Sequence, residues 1–141
     1  MAIVTNLKKT VGGGSSLTTN PNQNLTIINR YSNTADFTIT SIPSGSMYVL
    51  NAVARSITIT MPIPTAADEG KTFWIAAAGN DVTSQIIRLR STDPAGTRYN
   101  GTSYFTAGTP FGLDLSHSYP TAEITWTNTD YGWLVAIAGK D

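Results

Sequence analysis

The 141-residue chain has no cysteine, a single histidine and only 13% charged residues. Without cysteine there is no disulfide framework, no thiolate nucleophile and no thiolate-held metal, so stability has to come from packing or assembly. Nine Lys and Arg balance nine Asp and Glu, which removes the basic face that sequence-blind nucleic-acid binding requires. No nucleic-acid partner is therefore expected. No apolar run approaches the roughly 18 residues of a membrane-crossing helix, and Met1 to Thr10 lack the apolar core of a secretory signal. The expectation is a soluble protein with no membrane partner, made in the cytoplasm of its cell. Also missing is any amphipathic segment of helical period and useful length. What is abundant is uncharged polarity: 22 Thr and 12 Ser, and Thr in particular suits the surface of a pleated strand. The length fits one domain with one core.

Two regions differ in composition. Residues 1–23 carry Lys8, Lys9, Gly12, Gly13, Gly14, Ser15 and Ser16, the composition of an extended arm that becomes ordered only when something holds it. Residues 24–141 are a succession of short strand-like segments bounded by Gly, Pro, Asn and Asp. Leu25 and Ile27 alternate with Thr26, Phe37 and Ile39 with Thr38 and Thr40, and Ile57, Ile59 and Met61 with Thr58 and Thr60 until Pro62 and Pro64 stop the ladder. The Gly79-Asn80-Asp81 turn predicts a hairpin between Lys71–Ala77 and Gln85–Arg90, and Asn100-Gly101 predicts a two-residue type I′ loop. Further alternation runs through Phe111, Leu113 and Leu115, Ile124 and Trp126, and Trp133, Val135 and Ile137. About nine strands separated by turns predict an all-β domain, an antiparallel β-sandwich or jelly roll, behind an N-terminal arm. Met47–Leu50, Phe73–Ala76 and Trp133–Ala138 are apolar on both faces, more than one sandwich of this size needs. That excess predicts a homo-oligomer, with a trimer as the chosen closed ring.

Residues that favour catalysis are nearly absent. His117 sits between Ser116 and Ser118, three residues after Asp114, but one short turn does not supply the separately placed nucleophile, base and orienter of a triad. Gly101-Thr102-Ser103-Tyr104-Phe105 lacks the closing glycine of a nucleophile elbow. Asp68 and Glu69 are neighbours in a turn and diverge, whereas glycoside hydrolysis needs carboxylates facing across a cleft. Asp81, Asp93 and Asp130 do not repeat at the alternate positions of a calcium loop. No catalytic, cofactor or metal site is assigned, and the protein is expected not to be an enzyme. Arg88 and Arg90 share one strand face and suit an ionic contact with a partner; charge protecting an edge strand from aggregation explains them equally well. Among the aromatics Tyr99, Tyr104, Tyr119, Tyr131, Trp126 and Trp133, the two tryptophans lie in apolar alternation and are expected in the core. Tyr119 and Tyr131 fall in turns and are the candidates for exposed recognition.

The stretch from Ile57 to Ile137 resembles the small β-domains of tailed-bacteriophage virion proteins found in fibres, head fibres and capsid decoration proteins. The resemblance is carried by a strand closing in Met61-Pro62, by Glu69-Gly70-Lys71 opening the next, by Ile86-Ile87-Arg88-Leu89, and by Gly132-Trp133-Leu134-Val135. It implies a trimeric, non-enzymatic virion component made in the host bacterial cytoplasm. A compact domain without a sequence repeat favours a capsid decoration (cement) protein on the capsid surface over a shafted fibre. In that reading a homotrimer binds the major capsid protein, with Lys8 and Lys9 of the arm and Arg88 and Arg90 as anchoring contacts. The alternative is a fibre or spike knob that uses Tyr119, Tyr131 and the 107–110 loop to contact a host glycan or receptor.

Overall fold

A computed structural model describes residues 26–30, 35–51, 56–77, 86–101, 103–113, 115 and 121–138. The arm assigned to residues 1–23, with Lys8 and Lys9, lies outside the described residues. Among the described residues the chain forms strands β1 (Thr26–Arg30), β2 (Phe37–Thr38), β3 (Ser46–Leu50), β4 (Ile57–Met61), β5 (Thr72–Ala77) and β6 (Ile87–Ser91). They are followed by β7 (Thr97–Tyr99), β8 (Ser103–Phe105), β9 (Phe111–Leu113), β10 (Thr121–Asn128) and β11 (Gly132–Ala138). The one helical element described is a single 3-10 turn over Ala66–Asp68, and no described helix is long and apolar enough to cross a membrane.

The strands build two sheets, one in the order β1-β3-β5-β10-β11-β7-β8 and one in the order β2-β4-β6-β9. Side chains from both make one core, in which Leu50, Ile57, Ile59, Phe73, Ile75, Leu89, Phe105, Leu113 and Trp133 are fully buried. The all-β sandwich is as expected. Its winding is not. β1, β3 and β5 are parallel neighbours in one sheet, and β2, β4 and β6 are parallel neighbours in the other. The chain thus passes from sheet to sheet at every connection and closes three stacked coils before any antiparallel pair forms, which corrects the expected antiparallel sandwich to a mixed one. The antiparallel pairs come later and cover the last coil: β9 on β6, β10 on β5, then β11 on β10 and β8 on β7.

The hairpin expected between Lys71–Ala77 and Gln85–Arg90 is also corrected, because β5 and β6 belong to different sheets. Between them the chain crosses from one wall of the coil to the other; residues 78–85, with the Gly79-Asn80-Asp81 turn, lie outside the described residues. The hairpin at Asn100-Gly101 does form. Its register pairs Tyr99 with Ser103, which leaves three residues in the loop instead of two, with φ of 49° at Asn100 and 82° at Gly101. β4 ends at Met61 directly before Pro62, as a residue without a ladder donor requires.

Local pieces that carry the resemblance have clear physical roles. Thr65 donates its backbone N–H (2.8 Å) and its hydroxyl (3.1 Å) to Asp68 Oδ2, and Lys71 Nζ reaches Asp68 Oδ1 at 2.7 Å. These contacts fix the turn before β5. The Lys71 hydrogen bond first, and the Thr65 backbone N–H second, hold the Asp68 carboxyl below its ordinary value. Gly132 opens β11 with φ of 76°, and a Cβ there would stand 2.0 Å from the Arg98 carbonyl oxygen. Only glycine permits that close approach of β11 to β7. Trp133 follows it, wholly buried, edge-on to Phe73 at 6.2 Å and to Trp126 at 5.3 Å between ring centres. Trp126 and Trp133 are therefore core residues, as expected. Trp133 Nε1 has no hydrogen-bond partner among the described residues, and an unsatisfied buried donor costs about 1–3 kcal/mol.

Candidate recognition surfaces

Three surfaces are built by this frame. The first is the outer face of the four-stranded sheet. In β6, Ile87 and Leu89 point into the core, so Arg88 and Arg90 share the opposite face. Their cross-strand neighbours are Thr58 and Gly112 for Arg88, and Thr60 for Arg90. Arg90 donates from Nε and Nη2 to Thr60 Oγ1 at 3.1 and 2.9 Å. Among the described residues neither arginine makes an ion pair; the one salt bridge is Lys71–Asp68. β6 lies between β4 and β9, so the edge-strand explanation of this pair is corrected: an interior strand has no open edge to protect.

The second surface is the outer face of the seven-stranded sheet. One row across it runs Ile27, Met47, Trp74, Glu123 and Ala136, and its neighbour includes Thr72, Thr125 and Leu134. The face is more apolar than its counterpart, as the sequence pattern implied, but much of that apolar area is already covered. Met47 and Trp74 are buried, and Trp74 Nε1 donates to Glu123 Oε2 at 3.0 Å. The exposed remainder is Leu134, at 49% exposure, with the exposed Ala136 beside it; Ile137, also exposed, lies on the core-side row at the end of β11. The excess that suggested an oligomer is thus smaller than two-sided apolar strands imply.

The third surface lies at the end of the molecule where the β7–β8 hairpin meets the β10–β11 turn. Arg98 in β7 pairs across the hairpin with Tyr104 in β8. Its guanidinium carbon is 5.2 Å from the Tyr104 ring centre, Nε donates to the Tyr104 hydroxyl at 2.6 Å, and Nη1 donates to the carbonyls of Asp130 (3.2 Å) and Gly101 (3.3 Å). Tyr131 packs its ring against Gly101, where a Cβ would meet ring carbons at 3.2 Å. Asn128 Oδ1 accepts from the N–H groups of Asp130 and Tyr131, both at 2.9 Å, which fixes that turn. Beside Tyr104 opens a cleft of about 330 Å³, lined among others by Ile63, Asp93, Arg98, Trp126 and Thr129. Tyr104, Tyr131 and Ile63 are large hydrophobic side chains left exposed here.

Of the residues singled out in the sequence, Tyr131 is exposed as expected, at 62%, while Tyr119 and His117 lie outside the described residues. Tyr99 turns inward, stacked on Phe111 at 4.2 Å and near Phe105 at 5.9 Å. Asp93 and Asp130 belong to no group of three His, Cys, Asp or Glu side chains among the described residues. The sequence reading passed over Arg98 and Ile63. A signal for Arg98 existed: with a three-residue loop at Asn100-Gly101 it faces Tyr104, and with the two-residue loop it does not. No family model matches this chain. No curated protein matches it either.

Proposed function

We propose that the protein is a non-enzymatic structural component of a tailed-bacteriophage virion, a capsid decoration protein that binds and stabilises the head as a homotrimer. The observation that carries this reading is the pair Arg88 and Arg90: two guanidinium groups on one face of an interior strand, with threonines and a glycine opposite and, among the described residues, no carboxylate paired to either. Cations on an interior strand that close no ion pair among the described residues are suited to an acidic partner surface, where bidentate contact with carboxylates gives affinity and register. A lattice of identical capsid subunits repeats such a contact at every position. The Leu134 and Ala136 patch on the other sheet is the apolar remnant available to neighbouring copies.

Co-sedimentation with undecorated phage capsids tests the proposal. Wild type should pellet with the capsids, and Arg88→Glu/Arg90→Glu should stay in the supernatant while melting at the wild-type temperature. Equal pelleting of both proteins would sink the assignment of that face. A second reading, a fibre or spike knob that contacts a host, is favoured by the three-coil stack, because the lack of a sequence repeat no longer argues against a repetitive element. It predicts binding to host cells without capsid binding.

A further inference from the structure

The geometry points to a carbohydrate-binding cleft beside Tyr104, selective for uncharged pyranose sugars. This inference depends on neither the oligomeric state nor capsid binding. The cleft, at about 330 Å³, falls in the range of small-ligand sites. Its walls combine the two groups that a sugar ring needs. Tyr104 is 46% exposed and lines the cleft; Arg98 lies over its ring on one side, and the C–H face of a pyranose would stack on the other, with Ile63, at 55% exposure, lining the same cleft. Asp93 supplies a carboxylate whose Oδ1 accepts from the Ala95 N–H at 2.9 Å, leaving Oδ2 without a partner among the described residues. Such an oxygen accepts a hydrogen bond from a sugar hydroxyl.

The aromatic platform is held in place before any ligand arrives. The Tyr104 hydroxyl is tied to Arg98, and Arg98 is tied in turn to two backbone carbonyls. Gly96, with φ of 78°, lies close enough to Tyr104 that a Cβ there would stand 3.4 Å from the ring and 2.9 Å from Thr106 Cγ2. The platform therefore rests on β7, β8 and a glycine turn, so little ordering entropy is lost on binding.

The charge of the lining selects the ligand. Its one cation among the described residues, Arg98, donates from Nε and Nη1 to three oxygen acceptors, which leaves only Nη2 open and breaks both pairs of parallel N–H groups that would fork onto a carboxylate or phosphate. Its anion, Asp93, repels acidic ligands. An acidic glycan or a nucleic acid is disfavoured on both counts, and a neutral polyhydroxylated ring with one apolar face is what remains.

The test applies fluorescently labelled full-length protein to an array of neutral and acidic hexopyranose oligosaccharides, followed by calorimetric titration with the best-retained glycan. Wild type should be retained on neutral glycans. Tyr104→Ala and Asp93→Asn should each weaken binding about tenfold or more, and Tyr104→Phe, which keeps the ring, should lose less than the alanine variant. Thermal melts accompany each variant; if Tyr104→Ala fails to fold, Asp93→Asn in its exposed turn decides alone. Retention of no neutral glycan, retention of acidic glycans alone, or unchanged binding by the folded variants would overturn the assignment. Binding of a displayed peptide in place of any glycan would overturn it as well. Arg88→Glu/Arg90→Glu should bind glycans as wild type does, so this inference and the capsid reading fail separately.

Discussion

The two walls of the coil share one core but present opposite chemistry outside. On the four-stranded wall, β4 and β6 alternate strictly, so Thr58, Thr60, Arg88 and Arg90 face outward and every apolar group faces in. On the seven-stranded wall, β3 and β5 are apolar on both sides, and Met47 and Trp74 are buried on the outer face. Both walls are parallel in this region. Parallel strands are usually covered on both faces and read as unbroken apolar runs; the four-stranded wall shows that a coil needs only its inner face apolar. Outer chemistry is then free to serve a partner, cationic on one wall and partly apolar on the other.

The largest effect should come where the walls meet. Trp133→Ala should destabilise the fold by about 3–5 kcal/mol in denaturant titration, because it removes the ring packed between Phe73 and Trp126. Trp133→Phe should cost much less, since it also removes the unsatisfied Nε1 donor. Next comes the apolar outer wall: Trp74→Ala should cost about 2–4 kcal/mol and free Glu123, whereas Arg88→Ala on the opposite wall should leave stability within about 0.5 kcal/mol. Equal losses at the two sites would erase the distinction between the walls. Leu134→Asp sharpens it further. It should leave the melting temperature nearly unchanged and convert the proposed trimer to monomer in sedimentation velocity, and a monomeric wild type would remove the oligomeric role of that patch. The smallest effect lies outside both walls, at the turn before β5. Asp68 has a folded-state value held below its ordinary 3.8, so its contribution is complete above that pH and is lost as pH falls through the lower folded value. Asp68→Asn should therefore narrow its stability gap to wild type only below about pH 4.

Much of the strand content was legible, and the reasons are local. Ile57-Thr58-Ile59-Thr60-Met61 followed by Pro62 specifies a strand, its inner face and its end, whatever it pairs with. The direction of pairing was not legible, because strict alternation is also what a half-exposed antiparallel strand shows. A β-strand carries no record of its neighbour's polarity, and the unequal chain spacing of Ile27, Met47 and Trp74 along one row hides the coil from any search for a repeat. The recognition cleft was legible only in part. Tyr104 and Asp93 stood out by type, but their proximity depends on a turn, a hairpin and the 62–65 segment arriving at one place. Arg98 required the loop length at Asn100-Gly101, and one residue in that loop decides whether it faces Tyr104 or is offset from it.

By itself the amino-acid sequence determined that this chain is all β, where most strands lie, which of their faces are buried, and that Trp126 and Trp133 belong to the core. Those properties follow from alternation and from Pro and Gly punctuation, each set by a few adjacent residues. Only the tertiary structure decided that successive strands coil between two walls, that Arg88 and Arg90 stand on an interior strand, and that Tyr104, Arg98, Asp93 and Ile63 share one end. These depend on pairings between residues far apart in the chain, where many registers satisfy the same local pattern and the packing of the whole core selects one.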